Sequence, residues 1–218
     1  LTPISTMGSV PVQSVQEILA RHMKAAGRRL RPDQVDRVEI DTCFPVFSGE
    51  NIGVGSAPLN AGAVTASTKL AIATMLVGHG LGPEQFDETW LSGAEDQIRD
   101  LASRVEVRHS WEYSVRWISH LVESTTPLFA GLTLAEIRSL MDDSQMSGVP
   151  KPSGFKEQWA VLKSRPNRLL ERIRYSSGDL SDVNWSDWQL RLPTQVKLFT
   201  TRGGNWPEKR AIPEGSAG

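Results

Sequence analysis

A single cysteine, Cys43, is all the thiol chemistry this 218-residue chain has. An internal disulfide and a cysteine-rich zinc site are therefore excluded, and a reducing compartment is favoured. An excess of charge of one sign is also lacking: 24 Lys and Arg face 25 Asp and Glu, a formal net charge of −1. No global field gathers phosphate backbones or anionic lipid, so neither nucleic acid nor a membrane surface is expected as a partner. Long apolar runs are missing as well, because the longest, residues 70–77, falls far short of the roughly 20 residues that span a bilayer. No charged-then-apolar leader opens the sequence. These absences set the expectation of a soluble, cytoplasmic protein. Leu1 stands first rather than Met, so the N-terminus is read as a cut edge.

What is present is enough chain to bury a substantial core, as one large domain or one domain with a helical insertion. Over residues 12–26, Val12, Val15, Ile18, Leu19, Met23 and Ala26 recur at helical spacing, with Gln13, Glu17, Arg21 and Lys24 between them. Gly27 stops this amphipathic helix, and the alternation Arg37-Val38-Glu39-Ile40-Asp41 reads as a strand. Residues 45–60, rich in Gly, Ser and Pro, read as a surface loop. Residues 65–77 return to a helical period with apolar side chains on nearly every side, the mark of a buried helix. A short helix is expected to enter at Pro83, another over residues 94–103, and a strand over residues 104–108. Residues 195–201 and 208–212, joined across Arg202-Gly203-Gly204-Asn205, form a hairpin pattern. The pattern as a whole predicts an α+β fold: a small, largely antiparallel sheet with packed helices, formed by residues 1–110 and 193–218. Residues 111–192, where helical patterns are separated by Pro127, Pro150 and Pro152, read as a helical insertion.

The order of these elements, with Leu30 to Thr42, Ala61 to Phe86, Leu101 to His109 and the hairpin running into Ile212-Pro213-Glu214-Gly215 as the best local matches, resembles the C-terminal small domain of the MmgE/PrpD family. That family includes 2-methylcitrate dehydratase, cis-aconitate decarboxylase and an iminodisuccinate epimerase. The likeness covers somewhat more than half the chain and rests on several weak motifs in order. It implies metal-independent lyase or isomerase chemistry on a small carboxylate, without a cofactor, starting with removal of a proton next to the carboxylate. It also implies a large all-helical domain that is not part of this sequence. A helical partner chain resembling the family's N-terminal half would then supply it, docked on residues 1–11 and the loop at 45–60, with further oligomerisation possible.

The family's small domain opens with a Lys-x-x-Pro stretch and a His, where this chain has Thr2-Pro3-Ile4-Ser5-Thr6-Met7-Gly8-Ser9-Val10-Pro11. Its buried helix opens with His-Ser-Phe-x-Tyr, where this chain has Ala66-Ser67-Thr68-Lys69-Leu70. The catalytic base is therefore unassigned, and the expected enzyme is active only with its partner. The alternative is a catalytically silent relative that binds or stabilises another protein. Ser67, Thr68 and Lys69 are the substrate-binding candidates. Lys69 either clamps a substrate carboxylate or snorkels from the first turn, and Ser67 and Thr68 either hold substrate or cap the helix. His79, between Gly78 and Gly80, suits a helix C-terminus. His22, His109 and His120 lack metal or triad spacing. Cys43 has no neighbour in sequence to activate it and reads as a small buried hydrophobe. Arg165, Arg168, Arg172 and Arg174 read as an anion grip or a solvated helix face.

Overall fold

The computed structural model describes residues 6–50, 58–117, 120 and 191–210, with side chains from Val10 onward. Helix α1 spans Thr6–Ala26, strand β1 Val35–Thr42 and helix α2 Phe44–Glu50. Helices α3 (Ala61–Ala66), α4 (Thr68–Gly78) and α5 (Glu88–Ser103) follow, then strand β2 (Val105–His109). Residues 111–117 are helical. Strands β3 (Thr194–Thr200) and β4 (Asn205–Arg210) close the description.

The four strands form one sheet in the order β2-β1-β3-β4. β1 runs parallel to β2, while the β1–β3 and β3–β4 pairs are antiparallel, so the fold is α+β with a small, largely antiparallel sheet. A parallel pair needs a long crossover, which α2 to α5 supply. Because β3 lies against β1, the segments on either side of the long intervening stretch share one sheet.

One sheet face is apolar. Val38 and Ile40 of β1, Val105 of β2, and Val196 and Leu198 of β3 are buried in a single cluster with Val12, Val15 and Ile18 of α1. The same cluster takes in Ile72 and Met75 of α4 and Leu91, Ile98 and Leu101 of α5. Strict alternation would put Val35 on the opposite face from Val38, yet both are buried. A register shift between Val35 and Arg37 against β3 adds the extra residue that turns both inward. Burial of each such side chain contributes about 1.5–3 kcal/mol. The opposite face is charged: Arg108 bonds Glu39 Oε2 and Asp41 Oδ1, each at 2.9 Å, and the Arg37 guanidinium lies 3.8 Å from the Phe199 ring centre.

Several boundaries differ from the sequence expectation. Helix α1 begins at Thr6 rather than at residue 12 and runs through Pro11, an interior position where the missing N–H removes one i→i−4 hydrogen bond. Residues 1–11 are therefore in part helix. The loop read over residues 45–60 holds α2, where Pro45 sits in the first turn and Val46 anchors the segment by burial. The helix read over residues 65–77 is two helices, broken where Ser67 adopts extended backbone, φ −111° and ψ 122°. Helix α5 starts at Glu88 because Asp87 accepts hydrogen bonds from Thr89 N and Trp90 N, both at 3.0 Å. The strand after the hairpin turn begins at Asn205, which pairs with Phe199, and Gly203 supplies the turn's positive φ of 82°. The patterns between Pro127 and Pro152, and Arg165 to Arg174, lie outside the described residues.

Candidate functional site

Ser67, Thr68 and Lys69 sit together where α3 ends and α4 begins. The Ser67 backbone closes α3 by donating to Ala63 O at 3.1 Å and opens α4 by accepting from Ala71 N at 2.9 Å. Its hydroxyl oxygen accepts from Leu70 N at 3.2 Å, an N-cap bond. The same hydroxyl donates to Glu50 Oε1 at 2.6 Å, while Thr68 N donates to Glu50 Oε2 at 2.6 Å. One carboxylate therefore spans the first turn of α4 through both of its oxygens. Short charge-assisted bonds of this kind are strong, and a negative charge at a helix N-terminus is further favoured by the helix dipole. Ser67 and Thr68 are each 5% exposed, so the bonds are shielded from solvent.

Lys69 is half-buried beside this turn, and its ammonium makes no hydrogen bond or ion pair with the described residues. The arrangement thus brings together the three residues expected from the sequence and adds Glu50, which the sequence placed in a loop. Glu50 lies 17 residues from Ser67, with no local pattern tying the two. Hydroxyl and backbone N–H make a seat for a carboxylate, with Lys69 in the same turn but not ion-paired to Glu50. Proton abstraction needs a further base.

The other candidates fall into structural places. Cys43 is fully buried, and burial pushes its thiol up to about 12, so it is not a nucleophile in the folded chain. His79 caps α4 in the left-handed region with φ 56°, its N–H donating to Met75 O. His22 packs edge-on against Trp206 with ring centres 5.4 Å apart, its Nδ1 buried without a hydrogen bond.

His109 pairs with a partner that sequence spacing did not reveal. Its Nε2 lies 2.8 Å from Ser114 Oγ, which accepts from Phe44 N at 2.9 Å. Ser114 is 2% exposed, and this serine–histidine pair ties the end of β2 to the start of α2. Among the described residues, no three His, Cys, Asp or Glu side chains gather as metal ligands. No described helix is long and apolar enough to cross a membrane. No protein-family model matches this sequence, and no curated protein matches it.

Proposed function

We propose that this chain is the small-domain half of a split, divergent MmgE/PrpD-like enzyme, with lyase or isomerase chemistry on a small carboxylate. The reading rests on the sequence resemblance and on one observation, the Glu50 carboxylate seated on Ser67 Oγ and Thr68 N, each at 2.6 Å. That turn is shaped for a carboxylate. In the working complex a substrate carboxylate takes the place of Glu50, and Lys69 lies beside it as a cation for the charge that develops when the adjacent C–H proton leaves. A helical partner chain supplies the base, and the outcome is loss of water, loss of carbon dioxide or reprotonation.

A second reading, a silent relative that stabilises another protein, is favoured by the same carboxylate, because Glu50 already satisfies the donors a substrate would use. The two separate in one experiment. The isolated chain is assayed for dehydration, decarboxylation and epimerisation of citrate-like and succinate-like acids, then assayed again with the helical partner chain. Turnover with the partner alone, with KM raised by Lys69→Ala, supports the enzyme. A stable complex without turnover supports the silent relative. Turnover by the isolated chain that the partner leaves unchanged and Lys69→Ala abolishes would show the active site to be complete in this chain.

A further inference from the structure

A cavity of about 620 Å³ lies at the other end of α4 from Ser67. Ligand sites commonly enclose volumes of this order. Val77 at the end of α4 and Leu101 of α5 give it an apolar floor. Around that floor stand two guanidinium–carboxylate pairs, Arg31 with Asp33 at 3.0 Å and Arg104 with Asp100. The first pair is 66% exposed on both sides, and the second 35% and 60%. Ion pairs this exposed are worth little and exchange readily with a ligand. The His79 and Gln97 side chains line the same cavity and make no hydrogen bond or ion pair with the described residues.

His79 is the one non-glycine residue with positive φ among the described residues. A side chain in that conformation carries strain that glycine would avoid, and glycine stands on both sides of it in the sequence. Strain retained at a cavity wall is a pointer to function.

We propose that this cavity binds a small zwitterion of the amino-acid or short-peptide class, with its carboxylate on Arg31 and Arg104 and its ammonium on Asp33 and Asp100. A simple anion would meet the two carboxylates and the carbonyl ends of α4 and α5, and a simple cation would meet the two guanidinium groups. A ligand carrying both charges offers a carboxylate shared by the two guanidinium groups and an ammonium shared by the two carboxylates, so the cavity stays neutral overall. An aliphatic side chain fills the floor over Val77 and Leu101, and His79 and Gln97 hydrogen-bond the remaining polar atoms.

The test uses the full chain, with leucine and glycyl-leucine as probes against 4-methylpentanoate and isoamylamine, which keep one charge each. Binding is read by calorimetry and by NMR shifts of the His79 and Gln97 side chains. A probe with both charges is expected to bind at least about tenfold more tightly than either singly charged analogue, a difference of one order in Kd. Arg31→Gln and His79→Gly are each expected to weaken it by about the same factor. Glycine adopts the left-handed conformation without strain, so His79→Gly keeps the fold and isolates the side chain's contribution. Stronger binding of leucine than of the dipeptide assigns the site to free amino acids, and the reverse order assigns it to peptide termini. No saturable binding of either zwitterion, equal affinity for a singly charged analogue, or full affinity in His79→Gly would overturn the proposal.

Discussion

Replacing Ser67 with Ala removes two bonds from the start of α4 in one step. The N-cap bond to Leu70 N is lost, which costs about 1 kcal/mol at a typical cap. The hydroxyl bond to the Glu50 carboxylate at 2.6 Å is lost as well, and hydrogen bonds to charged groups contribute about 1.5–3 kcal/mol. Ser67→Ala is therefore expected to destabilise the protein by about 2.5–4 kcal/mol. Glu50→Ala removes the shared bond and the bond from Thr68 N, for about 3 kcal/mol or more. Because one bond belongs to both residues, the double variant should fall short of the summed losses by about 1.5–3 kcal/mol, the value of that bond. Urea denaturation of the four proteins measures this coupling, with stability taken from the midpoint at a common slope. Lys69→Ala serves as the control: with no described partner it should stay within about 0.5 kcal/mol of the parent. A coupling below about 0.5 kcal/mol would mean that Glu50 does not hold the turn, and the carboxylate cradle would lose its physical basis.

Cys43 should resist a thiol reagent at pH 8 in the native chain and react at the rate of unfolding, since it is fully buried. Its thiol is raised from 9.0 to about 12 in the fold, so the linked stability is fully present below about pH 9. It falls by about 1.4 kcal/mol per pH unit as pH rises toward the folded value. Urea midpoints between pH 8 and 11 that decline less steeply in Cys43→Ala than in the parent would bear this out. Glu39 is held below the usual carboxylate range, first by its hydrogen bond from Arg37 and then by Arg108. Its contribution is present above the unfolded carboxyl value and is lost as pH falls through the depressed folded value, so Glu39→Gln should flatten acid denaturation followed by circular dichroism. His79→Gly should raise the thermal midpoint slightly, a gain of a few tenths to about 1 kcal/mol, because the residue's left-handed φ of 56° favours glycine. A lowered midpoint would show that the His79 side chain stabilises the fold despite its conformation.

Periodicity alone placed α1, the strands around Val38 and Val105 and the closing hairpin, because each has one face that must leave water. Apolar residues on nearly every side likewise mark α4 as a buried helix. Fold class follows from those patterns, and the burial of Cys43 agrees with its lack of an activating neighbour in sequence. Ser67 is legible as a helix cap, but the helical period over residues 65–77 gives no sign of the break there. What the chain order could not show is which distant groups meet. The register shift at Arg37 turns Val35 inward only because β3 lies beside β1. Glu50 reaches Ser67 and Thr68 only because the end of α2 lies against the start of α4, and Ser114 meets both His109 and Phe44 N only where β2, residues 111–117 and α2 converge. The cavity around His79 likewise draws on Arg31, the end of α4 and the end of α5. Side-chain period is a property of one segment and is legible within it, whereas a site is a coincidence of several segments in space, set by how the helices pack on the sheet.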